Sequence, residues 1–345
     1  MDKGRLTLQW HINEVCNQHC EHCYQSEFAH PGFEFEKLVE IIHAYKKLVT
    51  DFNEKYNNRF YKGHINITGG EPLLHPDFFR LLEFLSAYKK HFTFAILSNG
   101  SLITDEVAVR LKIAAPEFIQ LSIDGNEKMH DRIRSKNNFK TVVNAIKILN
   151  KHKIKTYISF TAHSENYKCF PDVAKTGRKY NVAKVWADRF VPFNTASESL
   201  KTLNIDESND FFRIMNYEKK KKNLFSKTKI EMSRALMFFE TGEKPYHCAA
   251  GDTLICILHD GILFPCRRLP ISCGNIFEEN LSELYFHNSF LKKLRDKNQI
   301  AEECEKCSWY VFCKGGAKCI SYALTGNAFN ADPACKIAAL FKTDV

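Results

Sequence analysis

Apolar and polar positions alternate along Arg5–Ile12, with Leu6, Leu8, Trp10 and Ile12 on one side, and a period of two predicts a strand. The period then changes: Phe35–Val49 sets Leu38, Ile41, Ile42, Tyr45, Leu48 and Val49 at helical spacing. His64–Thr68 is a short β-rich run, and Phe78–Tyr88 is helical with Leu81, Leu82 and Leu85 inward. The exchange continues through strand Phe92–Leu97, helix Asp105–Ile113, strand Phe118–Ile123, helix Phe139–His152, strand Lys155–Ala162, helix Phe170–Tyr180 and strand Ala183–Val191. Six strands, the first five each followed by a helix, predict an α/β fold with a parallel sheet and right-handed crossovers. Six units are two short of a closed (β/α)8 barrel, so the expected body is a partial (β/α)6 barrel.

Beyond the sixth strand the pattern loosens. Asn194–Asn204 is rich in Ser and Thr and carries no period, which suits a boundary. Ile205–Phe239 predicts two helices around the run Lys219–Lys222. A solvated helix face is the plain reading of that run, and docking of an acidic partner is the sharper one.

Cysteine usage divides the chain more firmly. Of 13 cysteines, Cys16, Cys20 and Cys23 lie together, Cys169 stands alone, and nine fall in the last 98 residues. The expected organisation is a barrel over 1–204, a helical bridge over 205–245 and a small cysteine-rich domain over 246–345. A chain of 345 residues with 44% apolar residues can build its core without disulfide staples. No apolar run approaches the ~20 residues of a membrane span. The start Met1–Arg5 leads into a strand rather than a signal-peptide core, so the expected location is cytoplasmic. Thiols stay reduced there, and clustered ones point to metal or catalysis.

The candidate chemistry lies at the strand ends. Cys16-x3-Cys20-x2-Cys23 follows the first strand, Thr68-Gly69-Gly70-Glu71-Pro72 follows the second, Ser98-Asn99-Gly100 closes the third, and Ser122-Ile123-Asp124-Gly125 closes the fourth. In α/β folds ligands bind at the carboxyl ends of the strands. Three thiolates can hold three irons of a cubane and leave the fourth open; tetrahedral zinc, completed by His19, His22 or a distant residue, is the competing reading. Taken alone, the glycine segment reads first as an ordinary β–α turn.

Together these residues resemble the radical S-adenosylmethionine enzymes, over about residues 5–192. The resemblance implies a [4Fe–4S] cluster on Cys16, Cys20 and Cys23 whose open iron binds S-adenosylmethionine, reductive cleavage to methionine and a 5′-deoxyadenosyl radical, and hydrogen abstraction from substrate. It places Gly69, Gly70 and Glu71 at the methionyl amine, and Ser98, Asn99, Ser122 and Asp124 beside ribose or methionine. Arg134 pairs with the carboxylate in this reading, its plain alternative being a surface arginine. His22 stands where the family has an aromatic residue near the adenine, and Tyr24 joins the cofactor contacts. The tail resembles the SPASM extension of peptide and protein maturases, which implies two auxiliary [4Fe–4S] clusters: Cys248, Cys256, Cys266 and Cys319 for the first, and Cys304, Cys307, Cys313 and Cys335 for the second. The chain departs from that pattern at Ala317, where the usual spacing has a cysteine, and Cys273 competes with Cys256 as ligand. Paired zinc sites remain the alternative for the tail. Three cubanes on eleven thiolates shift the formal charge of +9 by about −5, to roughly +4, which weakens any case for nucleic acid.

The function implied is a maturase forming a carbon–carbon or thioether cross-link in a ribosomally made peptide. The alternatives are a formylglycine-forming sulfatase maturase, a peptide epimerase with Cys273 as hydrogen donor, and, remotely, a zinc-bearing interaction or RNA-binding module. The implied partners are a precursor peptide, an electron donor such as flavodoxin or ferredoxin, and a separate leader-binding protein, since the first strand starts near Arg5 and leaves no room for a fused one. No membrane partner is expected. Cys169 is expected to be a buried, inert thiol.

Overall fold

The computed structural model describes residues 4–56, 62–193, 200–221 and 226–341. Its strands and helices alternate as the periods predict: β1 (Arg5–His11), α1 (Phe35–Lys55), β2 (Lys62–Thr68), α2 (Phe78–Ala87), β3 (Phe92–Ser98), α3 (Asp105–Ala114) and β4 (Ile119–Ser122). An unpredicted short helix, α4 (Glu127–Ile133), precedes α5 (Asn138–Lys151), then β5 (Thr156–Ala162), α6 (Phe170–Lys179) and β6 (Lys184–Arg189). The Asn126 side chain starts α4 by accepting the Met129 N–H. Helix α1 outruns its predicted end because Phe52 continues the buried stripe of Leu48 and Val49. Its Tyr45 hydroxyl donates to the Leu6 carbonyl at 2.5 Å and accepts from the His64 N–H at 2.9 Å, which pins α1 across β1 and β2.

The described strands form one sheet in the order β7-β6-β5-β4-β3-β2-β1-β8-β9. Strands β1 to β6 are parallel neighbours in chain order, as right-handed βαβ units require. One expectation is corrected here. The segment read as two helices is one helix, α7 (Ile205–Lys220), opened by an Asn204–Glu207 capping box, then strand β7 (Lys229–Glu231) parallel to β6, and the four-residue helix α8 (Phe238–Thr241). A three-residue strand is too short to show its period against flanking lysines. Lys222 and residues 194–199 lie outside the described residues. The cysteine-rich tail also shares the body's sheet: β8 (Leu254–Ile257) runs parallel to β1, with Thr7 opposite Leu254 and Trp10 opposite Ile257, and β9 (Leu263–Phe264) returns antiparallel.

The alternation along each strand gives the sheet two unlike faces. Leu6, Leu8, Trp10, Ile65, Ile67, Leu121, Ile158, Phe160, Val185 and Ala187 are buried in the main core. The intervening positions are polar, and they pair across strands: Trp186 Nε1 donates to Gln120 Oε1 at 2.9 Å, and the Ser122 and Ser159 hydroxyls meet at 3.4 Å. Parallel sheets covered on both sides read as continuous apolar runs; this one keeps a polar face. No described helix is long and apolar enough to cross a membrane.

Candidate metal and cofactor site

The loop after β1 and the loop after β2 are stitched together by backbone. The Gly70 N–H donates to the Asn13 carbonyl at 3.0 Å, the Glu71 N–H to the Val15 carbonyl at 2.8 Å, and Asn13 Nδ2 to the Glu71 carbonyl at 3.0 Å. A Cβ on Gly69 would sit 2.1 Å from Asn13 Oδ1, and one on Gly70 would sit 2.3 Å from the Glu14 carbonyl oxygen. The close approach these glycines allow is therefore to the cysteine loop, which they hold against the end of β2. Asn13 Oδ1 is buried with no hydrogen-bond partner among the described groups.

Glu71 is fully buried, and its carboxylate accepts from Ser98 Oγ at 2.9 Å, the Asn99 N–H at 2.7 Å and the Leu73 N–H at 3.3 Å. It clamps the ends of β2 and β3, and its oxygens are committed to that clamp. Burial pushes its pKa up to about 7, against three hydrogen bonds that favour the charged form. An acid raised in the folded state holds its proton where the unfolded chain has lost it, so this group favours folding less as pH rises from about 4.5 to about 7. In chemical denaturation across that window the native chain is expected to lose on the order of 3 kcal/mol relative to Glu71→Gln, a difference from which the buried histidines common to both proteins drop out. The same slope in both proteins would remove Glu71 as its source.

At the ends of β4 and β5, Asp124 takes Arg134 Nε at 2.6 Å and His22 Nε2 at 3.0 Å on one oxygen, and the Thr161 N–H at 3.0 Å on the other. Burial alone would raise its pKa, but the Arg134 guanidinium and then His22 hold it well below the usual carboxylate range. Asp124 therefore positions two of the expected cofactor residues. Arg134 also reaches Cys20 Sγ at 3.7 Å, and with a side chain only 10% exposed it is not a loose surface arginine. Asn99 Nδ2 lies 2.9 Å from Asn17 Oδ1 and 3.9 Å from Cys16 Sγ. Two histidines complete the surroundings without having been singled out in the sequence. His130 Nδ1 accepts the Asp124 N–H at 3.1 Å, and its Nε2 meets Asn138 Oδ1 at 2.8 Å. His163 is buried with an unpartnered Nε2, and burial, then His22, pushes its pKa down to about 4.

The thiols fall into three sets. Cys16, Cys20 and Cys23 feel one another's charge, and donors face their sulfurs: Asn99 at Cys16, Arg134 at Cys20 and the Gln25 N–H at Cys23, 3.5 Å away. In the tail Cys248, Cys266 and Cys319 pack together, with Cys256 buried beside Cys266. Cys319 reaches this group from the helix Lys318–Thr325. Cys304, Cys307, Cys313 and Cys335 line one pocket of about 300 Å³ with Leu236, Phe238, Trp309 and Tyr310. Burial raises the thiol pKa of Cys20 and Cys266 to about 11, and of Cys304, Cys313 and Cys319 to about 12. Buried and half-buried thiols grouped in threes and fours, with N–H and guanidinium donors at the sulfurs of the first set, have the donor chemistry an iron–sulfur cluster needs.

The remaining thiols separate from these sets. Cys273 is 1% exposed in the main core, its Sγ 3.5 Å from the Ile271 carbonyl, and among the described groups only Arg295 bears on its charge besides burial. Both Cys256 and Cys273 flank β9, Cys256 opposite Phe264 and the Cys273 N–H donating to the Leu263 carbonyl at 2.8 Å, and of the two it is Cys256 that Cys266 bears on. Cys169, expected to be buried, is partly exposed at the start of α6, against Gly125. The Tyr24 ring packs in the cluster that holds Cys248, Cys266 and Cys319, 6.3 Å from Phe193. The Tyr24 carbonyl accepts from Arg267 Nη2 at 3.0 Å. Ser122 lies on the polar sheet face, hydroxyl to hydroxyl with Ser159.

Comparison with known proteins agrees with this geometry. The Radical SAM superfamily model matches residues 10–177, and the SPASM model, an iron-sulfur cluster-binding domain, matches residues 248–308. The chain is 25% identical to the AdoMet-dependent heme synthase of Methanosarcina barkeri over 97% of both chains. It is 24% identical to the mycofactocin maturase MftC of Mycolicibacterium smegmatis, over 96% of this chain and 82% of that one. Among solved structures it is similar to anSMEcpe with bound AdoMet and the Cp18Cys peptide, with a TM-score of 0.74 at 19% identity, over 97% of this chain and 95% of that one.

Proposed function

From the premise that this chain is a radical SAM enzyme with a C-terminal SPASM domain, we propose that it is a maturase that abstracts hydrogen from a side chain of a ribosomally made peptide and closes a carbon–carbon or thioether cross-link. The observation that carries this reading is the span of strand ends from β4 to β6. At β4, Asp124 leads through Arg134 to Cys20; at β6, Asp188 binds Arg268, the second residue after Cys266. Between them lies the polar face of Gln120, Ser122, Ser159 and Trp186. A substrate held over that face has the radical loop on one side and an auxiliary thiol set on the other. A cross-linked product is two hydrogens lighter than its precursor, so its formation needs an electron sink besides the group that abstracts hydrogen.

With its cluster and S-adenosylmethionine bound, the Cys16–Cys23 loop supplies the abstracting radical. The chain's own residues set the geometry: Glu71 locks the ends of β2 and β3, Asp124 fixes Arg134 and His22, and Gln120 orients Trp186. Eleven cysteines, Cys16, Cys20, Cys23, Cys248, Cys256, Cys266, Cys304, Cys307, Cys313, Cys319 and Cys335, hold three clusters in this reading. Flavodoxin or ferredoxin supplies electrons, and a separate protein captures the leader. The likeness to structures solved with peptides supports the fold, and the maturase among the relatives supports the substrate class.

A second reading takes an iron tetrapyrrole as substrate. It is favoured by relatives named for heme synthesis and by Arg234, whose guanidinium stands 4.4 Å from the Trp186 ring and 5.7 Å from the Tyr246 ring. A cation between aromatic faces suits a flat, carboxylate-bearing ligand. The core position of Cys273 offers no support to an epimerase using that thiol.

The deciding experiment incubates reduced, reconstituted protein with S-adenosylmethionine and peptides encoded beside its gene, and separately with Fe-coproporphyrin III. A peptide two hydrogens lighter supports cross-linking. Formylglycine in the peptide, or deuterium uptake from heavy water without mass loss otherwise, replaces cross-linking by the maturase or epimerase alternative. Conversion of the tetrapyrrole with no change in any peptide overturns the peptide reading.

A further inference from the structure

Each junction between two thiol sets is occupied by one buried or half-buried cation. At the first, Arg267 follows Cys266 directly, and its Nη2 donates to the carbonyl of Tyr24, the residue after Cys23, at 3.0 Å. Cys23, Tyr24, Arg267 and Cys266 thus form a path from the radical loop to the tail through two peptide links and one hydrogen bond. The guanidinium also stands 6.0 Å from the Tyr24 ring centroid, and its Nε is buried without a partner. Its charge bears on Cys23 on one side and on Cys256 on the other. At the second junction, Lys318 precedes Cys319 and is 9% exposed. It borders a pocket of about 440 Å³ with Cys248 and Tyr310, and Tyr310 also lines the pocket of Cys304, Cys307, Cys313 and Cys335. Its ammonium feels Cys248 together with Cys304 and Cys313.

We propose that Arg267 and Lys318 are positioning residues that tie the three centres into one redox series, Arg267 holding the potentials of the radical and first auxiliary centres together, and Lys318 those of the two auxiliary centres. The physical basis is that a fixed cation between two buried centres favours the reduced, more negative form of both. Water screens it little at such sites, so its charge acts on each at nearly full strength. Arginine suits the first junction because a planar fork can donate to the Tyr24 carbonyl while its charge faces both sets. The hydrogen bond also keeps the Cys23 loop and the Cys266 turn at a constant separation, which an electron passing between them requires. Arg134 and Arg268 do not span junctions: the first lies at Cys20 and Asp124, the second at Asp188, Cys266 and Cys319. The inference rests on the reading of the tail cysteines as two cluster sites, and iron analysis of the native chain tests that reading by itself.

The test is an EPR-monitored redox titration of the anaerobically reconstituted holoenzyme, native and variant. In Arg267→Gln, which removes the charge and keeps a donor near the Tyr24 carbonyl, the reduction equilibrium constants of the radical and first auxiliary centres are expected to fall together by roughly tenfold, about 59 mV for one electron. The second auxiliary centre should keep its potential. In Lys318→Met the two auxiliary potentials are expected to fall while that of the radical centre stays. Arg267→Lys restores the charge and should return both potentials toward native. With native iron content, movement of neither centre, of only one of a pair, or of all three alike overturns the proposal. If Arg267→Gln fails to hold a full iron complement, Lys318→Met and Arg267→Lys decide it: an unmoved auxiliary pair in the first, or a loss of iron in the second equal to that of Arg267→Gln, overturns it.

Discussion

Replacing Cys16, Cys20 and Cys23 together with alanine is expected to lower the iron of anaerobically reconstituted protein from about twelve to about eight per chain, and to abolish formation of 5′-deoxyadenosine. The three thiols belong to one loop held against β2 by Gly69 and Gly70, and no tail cysteine shares their set. Their loss should leave the tail's iron in place, because the eight tail cysteines lie between Cys248 and Cys335, none of them in that loop or on β2. Iron analysis and chromatography of the reaction mixture read the two effects separately. Cleavage of S-adenosylmethionine by the triple variant would sink the assignment of the radical site. Cys319→Ala is the companion: it should remove iron from the tail only, and an unchanged iron content would show that Cys319 is no ligand.

Asp124→Ala is expected to cost about 3–5 kcal/mol of stability, the range for stripping one partner from a buried ion pair. The carboxylate is 0% exposed and faces Arg134, His22 and the Thr161 N–H. Removing it leaves a guanidinium buried without its counter-charge, and an N–H without its acceptor. Because Arg134 also reaches Cys20, the damage should extend to the first cluster and to S-adenosylmethionine binding. Asp124→Asn keeps the shape but not the charge, and should fall between the two. The pH dependence has a definite sign. A carboxyl held below its ordinary range stabilises the fold above about pH 4, and that contribution disappears as pH falls through the depressed folded value. Denaturation of Asp124→Asn should therefore lose less between pH 4 and lower values than the native chain does. A loss below about 1 kcal/mol in Asp124→Ala, the range of an exposed pair, would show that water reaches the site.

Local chemistry along the chain was enough for the alternation of β1 to β6 with their helices, since a period of two changing to 3.6 is a property of neighbouring residues. It was also enough for the three-cysteine loop, the glycine segment and the cysteine-rich tail, because each is a short-range pattern of residue types. Strand β7 escaped because three residues hold too few periods, and β8 because its place beside β1 depends on a segment about 245 residues away along the chain. Side-chain roles were legible only as positions. The strand ends pointed to Glu71 and Asp124, yet whether a carboxylate meets a ligand or locks its neighbours depends on which donors the fold brings to it. Here Ser98 and Asn99 take Glu71, and Arg134 and His22 take Asp124.

The sequence by itself therefore determined the class of chemistry and the order of the elements, for both are written in spacings of a few residues. Tertiary structure alone decided what crosses between distant segments. It set Tyr24 against the tail thiols, Cys273 in the main core, and Arg267 and Lys318 at the junctions of the thiol sets. The physical reason is range: periodicity acts through adjacent backbone, whereas burial, charge and hydrogen bonding act through space, between residues whose separation along the chain no local pattern records.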